Sequence, residues 1–291
     1  MIEIKSLSHS FGKKLVLDNI DLTVPDGTVL GIVGINGAGK STLLRLLAGV
    51  YDSKGCVLYD GKSPSLAKTR KDIFFLPDDP YYTATSTPEK TFAFYKAFYP
   101  NIDKVVFDSL ISKYAINPKL PLRSFSKGMR RQVFIALALA AKPKYMLLDE
   151  AFDGLDPLSR KIFKDAIIKL VEDENTTVLI SSHSLRELED FCDKFVLIDN
   201  NKIKNQGDIA EHVASMCKFE LAFLQEISKE SFEGMPIVSL EIKGRFATVV
   251  LEGESTEMRR RLESLNPAVM DELPLDFEEA FIHDVESERR E

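Results

Sequence analysis

The sequence predicts an α/β fold with a mostly parallel sheet. Short apolar runs of strand length alternate with segments of helical periodicity between residues 29 and 199. A glycine-rich loop directly follows the first of these buried runs, and an alternating pattern over residues 2–24 precedes it. Strands that alternate with helices are joined by right-handed crossovers and lie parallel. We therefore expect a parallel sheet with an antiparallel β subdomain at the N-terminus.

The order of the elements follows from hydrophobic periodicity and from turn residues. Strands are expected at residues 2–5, 15–24, 29–33, 145–148, 176–181, 194–199 and 202–206, the last two forming a hairpin around Asn200 and Asn201. Helices are expected at residues 41–48, 88–99, 103–114, 127–141, 157–172 and 184–191.

A second pattern begins near residue 216. Here we expect a strand pair at 238–242 and 247–251 and helices at 255–265 and 276–287. The chain is therefore predicted to hold a main domain over residues 1–215, with a helical subdomain inserted at about 80–142, and a small α+β appendage over residues 216–291.

The composition excludes some classes of function. The 291 residues carry a net charge of −7, which disfavours a nucleic-acid partner. The longest apolar run, 133–141, is much shorter than the roughly 18 residues that a membrane span requires. The first five residues show no basic segment followed by an apolar one, so no signal peptide is expected.

Residues 34–41 form a phosphate-binding loop. Their sequence fits GxxxxGK(S/T) and lies between a predicted strand and a predicted helix, which makes a glycine-rich turn without a ligand a remote alternative. Backbone N–H groups and the start of the helix are expected to cradle phosphates, with Lys40 on the β- and γ-phosphates and Ser41 on Mg²⁺. The predicted ATP contacts are Gly34, Asn36, Gly37, Ala38, Gly39, Lys40, Ser41 and Thr42.

Two carboxylates end the apolar strand predicted at residues 145–148. Asp149 is expected to hold the Mg²⁺ ion, as strand-end aspartates do beside a phosphate-binding loop. Glu150 is expected to orient or deprotonate the attacking water, as a general base. The alternative is a charged strand cap without a chemical role, and the loop at residues 34–41 favours the functional interpretation.

An ordered series of motifs resembles the ATP-binding cassette (ABC) ATPases. The run Ser126-Lys127-Gly128-Met129 resembles the family's signature loop, usually Leu-Ser-Gly-Gly-Gln. The other matches are Gly154-Leu155-Asp156 at the D-loop, Ser181-Ser182-His183 at the switch histidine, Phe11 at the aromatic that stacks on adenine, and Leu76-Pro77-Asp78 at the Q-loop. The resemblance covers residues 1 to about 215.

This resemblance implies a nucleotide-binding subunit of a transporter. Two such subunits, either two copies or this chain and a paralogous cassette, would face head to tail around ATP and Mg²⁺. Ser126 and Gly128 would then contact the γ-phosphate of ATP held by the opposite subunit, Asp156 would join the nucleotide contacts, and His183 would bind the γ-phosphate. The partner would be an integral membrane permease, reached from the cytoplasmic face of the membrane. The chain is most similar to bacterial single-cassette exporter types.

Three residues depart from the family pattern. Asp78 replaces a glutamine, and we expect its shorter carboxylate to reach Mg²⁺ through water. Met129 replaces the signature glutamine, and Lys127 replaces a glycine and adds positive charge near the phosphates.

Two further segments carry open interpretations. The aromatic residues of the predicted helix at 88–99 either form a small helical core or are exposed to receive a helix of the permease. Residues 273–282 resemble the closing segment of some exporter-type cassettes, and we expect them to brace the dimer or regulate it.

Two other classes of ABC protein are alternatives. DNA-repair and chromosome-structure members place coiled coils or zinc modules between the phosphate loop and the Asp-Glu strand, and the segment from Lys40 to Asp149 has neither sustained heptads nor paired cysteines. Translation regulators and immunity modules mostly carry two cassettes, whereas this sequence has one phosphate loop. A neighbouring gene for a multispanning membrane protein would favour the transporter.

Overall fold

The computed structural model describes residues 1–52 and 54–281. These residues divide into two compact units, one within Met1–Gln206 and one within Gly207–Glu291. The boundary between the two units along the chain falls between Gln206 and Gly207. The change of hydrophobic pattern in the sequence lies near residue 216. The first unit contains strands β1 (Ile2–Phe11), β2 (Lys14–Val24), β3 (Val29–Val33), β4 (Lys54–Tyr59), β5 (Ile73–Leu76), β6 (Tyr145–Leu148), β7 (Thr177–Ser181), β8 (Lys194–Asp199) and most of β9 (Lys202–Asp208). Its helices are α1 (Lys40–Leu47), α2 (Ala67–Arg70), α3 (Pro88–Lys96), α4 (Lys104–Lys113), α5 (Lys127–Ala141), α6 (Pro157–Glu174) and α7 (Leu185–Glu189).

A six-stranded sheet organises this unit, in the order β5-β6-β7-β3-β8-β9. The pairs from β5 to β8 are parallel, so the predicted α/β fold with a mostly parallel sheet is confirmed. The register places Leu148 beside Leu76 on one side and Ile180 on the other. Because neighbouring strands end together, the residues that follow them converge at one edge of the sheet.

The antiparallel β subdomain is also confirmed, as a three-stranded sheet in the order β2-β1-β4. The sequence had not indicated β4 or β5, because β4 begins with exposed residues and β5 is only four residues long. The hairpin of β8 and β9 turns at Asn200 and Asn201, both of which have positive φ angles, as a two-residue hairpin turn requires.

Helix α5 lies at the centre of the helical part of this unit. Residues 131–140 are buried on every side of the helix, which contacts α4, α6 and β5. Ser126 caps its first turn, and Thr87 and Asp103 cap α3 and α4 in the same way. These caps fix where each helix begins, as the sequence predicted to within one residue.

The second unit is a four-stranded antiparallel sheet in the order β11-β12-β10-β13. Its elements are α8 (Ile209–Ala214), β10 (Met216–Ala222), β11 (Ile237–Lys243), β12 (Phe246–Glu252), α9 (Ser255–Glu263) and β13 (Val269–Leu273). This strand order is that of a ferredoxin-like unit in which a 3-10 turn at Lys229–Phe232 stands in place of the first helix. Phe219, Val249 and Leu262 are fully buried at its core.

The predicted C-terminal helix is described only in part. Residues 277–281 are helical, and residues 282–287 of that prediction lie outside the described residues. Throughout the part of the chain that the structure describes, each helix is too short or too polar to cross a membrane.

Candidate nucleotide-binding site

The phosphate loop lies between β3 and α1, as the sequence predicted. Gly34 has a φ of 155°, and a Cβ atom there would lie 2.4 Å from the carbonyl oxygen of Ile198, so only glycine fits. Lys40 opens α1 and folds back over the loop, where its Nζ donates to the carbonyl oxygen of Gly34 at 2.7 Å. Burial lowers the pKa of Lys40, and the nearby carboxylates of Glu150 and Asp149 oppose that shift. A phosphate group would supply the negative charge that this buried ammonium favours.

Asp149 is fully buried at the end of β6, where it faces two hydroxyl groups. Its Oδ1 accepts hydrogen bonds from Ser41 Oγ at 2.8 Å and from Ser181 Oγ at 2.9 Å. Its Oδ2 is also buried and has no hydrogen-bond partner among the described residues. A buried carboxylate oxygen without a partner is costly, and a cation would satisfy it.

Ser41 and Asp149 therefore fit a magnesium ion. Both offer hard oxygen ligands, and magnesium typically uses one or two carboxylates together with phosphate oxygens and water. The described residues include no cluster of three or more His, Cys, Asp or Glu side chains that could form a metal cage from protein ligands alone.

Glu150 is held in an unusual backbone conformation with a φ of 49°. Its N–H donates to Ser181 Oγ at 2.9 Å, and its Oε2 lies 3.0 Å from Nδ1 of His183. Its Oε1 lies 3.9 Å from Nζ of Lys40. Strain of this kind in a non-glycine residue is concentrated at functional sites. Lys40, Glu150 and His183 are therefore brought together, with Ser181 linking Glu150 to Asp149.

Sequence reasoning did not select Ser181 as a site residue. The signal was present, since Ser181 ends a strand that neighbours the Asp149 strand in the predicted parallel sheet. In the motif Ser181-Ser182-His183, the family resemblance implies a role for His183 and none for the Ser181 hydroxyl.

The predicted signature residues form a second cluster around the start of α5. Ser126 Oγ accepts from the N–H of Met129 at 3.2 Å, so its side chain serves as the helix cap. A Cβ atom on Gly128 would lie 2.3 Å from the carbonyl oxygen of Gly154, which shows how closely this turn packs on the predicted D-loop. Lys127 Nζ donates to Asp153 Oδ2 at 2.6 Å and completes the contact.

Asp156 is the last residue of the predicted D-loop and caps the first turn of α6. Its carboxylate accepts from the N–H of Ser159 at 3.0 Å and from the Ser159 hydroxyl at 2.6 Å, and these hydrogen bonds lower its pKa. Gln132 of α5 donates to the same hydroxyl at 2.7 Å. Through Ser159, Asp156 is thus connected to α5 as well as to α6. Its contact with nucleotide stays a prediction.

Phe11 and Asp78 complete the set of predicted residues. Phe11 is 49% exposed and makes edge-on contacts with Tyr51 and His9, with ring centroids 5.5 Å and 4.7 Å away, and its stacking on an adenine ring stays a prediction. Asp78 was predicted to approach the metal. Its Oδ1 accepts from Arg131 Nη2 at 2.6 Å and lies 3.3 Å from Lys127 Nζ, and its approach to the metal stays a prediction.

Comparisons with known proteins agree with this geometry. The ABC transporter family profile matches residues 17–153. The ABC transporter ATP-binding protein YtrB of Bacillus subtilis (strain 168) is 31% identical over 296 residues, covering 100% of both chains. The methionine import ATP-binding protein MetN of Clostridium tetani (strain Massachusetts / E88) is 33% identical over 227 residues, covering 72% of this chain and 70% of its own.

Among solved structures, an ATP-binding subunit of an ABC transporter superposes with a TM-score of 0.67 at 25% identity. The match covers 73% of this chain and 91% of that one. With YtrB aligned along the whole length of both chains, this chain belongs to the ABC transporter ATP-binding proteins, the ATPase subunits that bind ATP and drive transport.

Proposed function

We propose that this chain hydrolyses ATP as one half of a head-to-tail pair that drives a membrane permease. The observation that carries the proposal is the placement of Glu150, whose carboxylate lies between Lys40 and His183 and whose N–H is linked to the Asp149 carboxylate through Ser181. Ser126 and Gly128 of the signature run lie at the start of α5 against the D-loop, and in the proposed pair they would face the nucleotide held by the second cassette. The second cassette would be another copy of this chain or a paralogue.

The chain's own residues divide the work of hydrolysis. The buried ammonium of Lys40 binds the terminal phosphates, and Phe11 stacks on the base. Glu150 orients the attacking water and accepts its proton as the bond to the γ-phosphorus forms and the bond to the ADP oxygen breaks. His183, 62% exposed and hydrogen-bonded to Glu150, is free to reach the γ-phosphate. Ser41 and Asp149 would hold magnesium, which would supply positive charge to offset the charge on the β- and γ-phosphates.

A surface groove in the first unit is the proposed docking site for the permease. It has a volume of about 820 Å³ and is lined by Val50, Phe75, Phe94 and Phe98, among others, with Arg70 at its rim. Phe94 is 62% and Phe98 is 55% exposed, and the two rings lie side by side, so they form one exposed apolar patch. We assign it to an amphipathic helix of the permease, whose apolar face would enter between these rings.

We propose that the aromatic residues of the predicted helix at 88–99, of which Phe98 lies beyond the end of α3, divide between the two roles considered for them. Phe92 is buried against Phe107, with ring centroids 4.9 Å apart, and belongs to the helical core. Phe94 and Phe98 contact each other on the surface.

The docking surface is tested by a Phe98→Glu substitution, which should abolish co-purification with the permease without changing ATP affinity. Val105→Glu provides the control, because Val105 is 78% exposed on another helix and outside the groove. Equal loss of the permease in both variants would contradict the assignment.

The permease would place this chain on the cytoplasmic face of the membrane, and we propose export as the direction. The support for export is the likeness of residues 273–282 to the closing segment of exporter-type cassettes. MetN, which is named as an importer, shares the cassette with this chain, so direction requires its own test. Transport into inside-out vesicles driven by external ATP would indicate export, and efflux from preloaded inside-out vesicles would refute it.

The catalytic proposal is tested by Glu150→Gln. This variant should bind ATP, accumulate as an ATP-bound dimer and lose turnover by roughly 10²- to 10⁴-fold, because the amide cannot accept the proton from water. Glu172→Gln, an exposed glutamate on α6, serves as the charge-matched control. Wild-type hydrolysis by Glu150→Gln would show that another group is the base.

A further inference from the structure

We propose that Arg131 positions the metal-binding carboxylate of Asp149, and that Asp78 is the counter-ion of Arg131 instead of a magnesium ligand. This inference rests on the proposed function, since it assumes that magnesium binds at Asp149.

Arg131 is a buried charge, with only 1% of its surface exposed. Its Nη2 donates to the Asp78 carboxylate at 2.6 Å and to the Asp78 carbonyl oxygen at 2.6 Å, and its Nη1 donates to the Asp149 carbonyl oxygen at 3.1 Å. A buried guanidinium without a counter-charge destabilises a fold strongly. The carboxylate of Asp78, 2.6 Å from Arg131 Nη2, supplies that counter-charge.

The same guanidinium joins two strand ends. Strands β5 and β6 are parallel neighbours with Leu76 beside Leu148, so Asp78 and Asp149 both follow the carboxyl edge of the sheet. Arg131 comes from the second turn of α5 and spans this edge with its rigid fork of donors. It therefore fixes the main chain of Asp149, while Ser41 and Ser181 fix the Oδ1 atom of its side chain. Together these contacts aim the remaining oxygen, Oδ2, at the metal position.

The two aspartates differ in what their oxygens meet. Oδ1 of Asp78 has Arg131 at 2.6 Å and Lys127 at 3.3 Å, so two cations already neutralise this carboxylate. Oδ2 of Asp149 is buried and has no partner among the described residues. A metal ion would therefore bind more favourably to Oδ2 of Asp149 than to Oδ1 of Asp78, because binding to Oδ1 of Asp78 would require that atom to give up existing ion pairs.

The test measures nucleotide binding instead of turnover. The readout is the ratio of the ATP dissociation constant in EDTA to that in excess Mg²⁺, for the full chain. A substitution that only loosens the fold changes both constants alike, whereas a displaced Asp149 lowers the ratio. Arg131→Lys keeps the charge but loses the fork, so the ratio should fall about tenfold, as for other groups that orient a metal ligand. Arg123→Lys, on an exposed arginine, is the control.

Asp78→Asn should behave in the opposite way. The ratio should change little, because the amide oxygen that replaces the carboxylate still accepts from Arg131, but the melting temperature should fall, because the buried guanidinium loses its counter-charge. Asp79→Asn removes the same charge from the neighbouring residue and should change neither quantity. If Asp78→Asn lowers the ratio as strongly as Arg131→Lys, then Asp78 is a metal ligand and the proposal is wrong.

A double variant covers the case in which Arg131→Lys does not fold. Asp78→Asn combined with Arg131→Gln removes both charges, so no uncompensated charge is buried, and we expect a folded protein with the ratio still reduced about tenfold. A wild-type ratio in this variant would overturn the positioning role alone. A ratio near one in the wild-type protein would refute the magnesium site of the proposed function, and this inference with it.

Discussion

Ser181→Ala tests how the site holds its two carboxylates. The Ser181 hydroxyl is fully buried, donates to Asp149 Oδ1 at 2.9 Å and accepts from the N–H of Glu150 at 2.9 Å. Its removal costs one hydrogen bond to a charged group, about 1.5–3 kcal/mol, and one to a neutral group, about 0.5–1.5 kcal/mol. We therefore expect the free energy of unfolding to fall by about 2–4.5 kcal/mol.

The effect on turnover should exceed the effect on binding. The backbone of Glu150 has a φ of 49°, a conformation that costs roughly 1–3 kcal/mol and must be held by its surroundings. When the bond to Ser181 is lost, the general base is free to shift, and a displacement of about 1 Å lowers a rate by about 100-fold. We expect kcat to fall about 10- to 100-fold, while ATP affinity in EDTA stays close to the wild-type value because Lys40 is untouched.

Thr176→Val is the matched control for this substitution. Thr176 precedes the same strand at its opposite end, is fully buried, and donates its hydroxyl to the carbonyl oxygen of Pro143 at 2.8 Å. This variant should lose about 1 kcal/mol of stability and keep its kcat. Urea denaturation and phosphate release measure the two quantities. A Ser181→Ala variant that loses stability but keeps the wild-type kcat would show that the hydroxyl is structural only.

Three further predictions concern the phosphate loop and the signature cluster. Lys40→Ala should lower ATP affinity by more than about tenfold in a titration, since the buried ammonium is the group proposed to bind the terminal phosphates, and tight binding would contradict this. The Lys127 ion pair lowers the pKa of Asp153 below its ordinary value of 3.8, so the pair stabilises the fold above that pH and less as the pH falls. The difference in urea midpoint between the wild type and Asp153→Asn should accordingly be complete at about pH 6 and shrink below about pH 3.8, and a difference that is constant with pH would refute it. Gly128→Ala should cost about 1–3 kcal/mol, because its Cβ would meet the Gly154 carbonyl at 2.3 Å, and a wild-type melting temperature would contradict that packing.

The parts of the site that the sequence predicts well are those determined by a short contiguous run of residues. The loop at residues 34–41 fits one pattern in which glycine, lysine and serine each have a backbone or charge requirement, and the structure places it between β3 and α1. Asp149 and Glu150 were predictable because an apolar strand ended in two charges. Helix α5 was predicted over its full length, since its apolar run has no interruption between residues 133 and 141.

Other features depend on contacts between distant parts of the chain. Arg131 lies beside Arg130 near the start of a helix, where charged residues are usually solvated, and only the fold shows that it is buried between two strand ends. Strand β13 includes Asp271 and Glu272, so its weak apolar pattern did not indicate a strand, and pairing with β10 is what stabilises it.

The departures from the family pattern are linked to one another in space. Asp78 brings a negative charge where a glutamine is usual, and Lys127 brings a positive charge where a glycine is usual, yet these two side chains lie 3.3 Å apart. Each also has a second partner, Arg131 for Asp78 and Asp153 for Lys127. Because neighbouring charges couple, the effect of replacing either one depends on the other. Restoring the family's residue at one position alone would therefore unbalance this set of charges, and its effect would not measure what that position contributes to ATP hydrolysis.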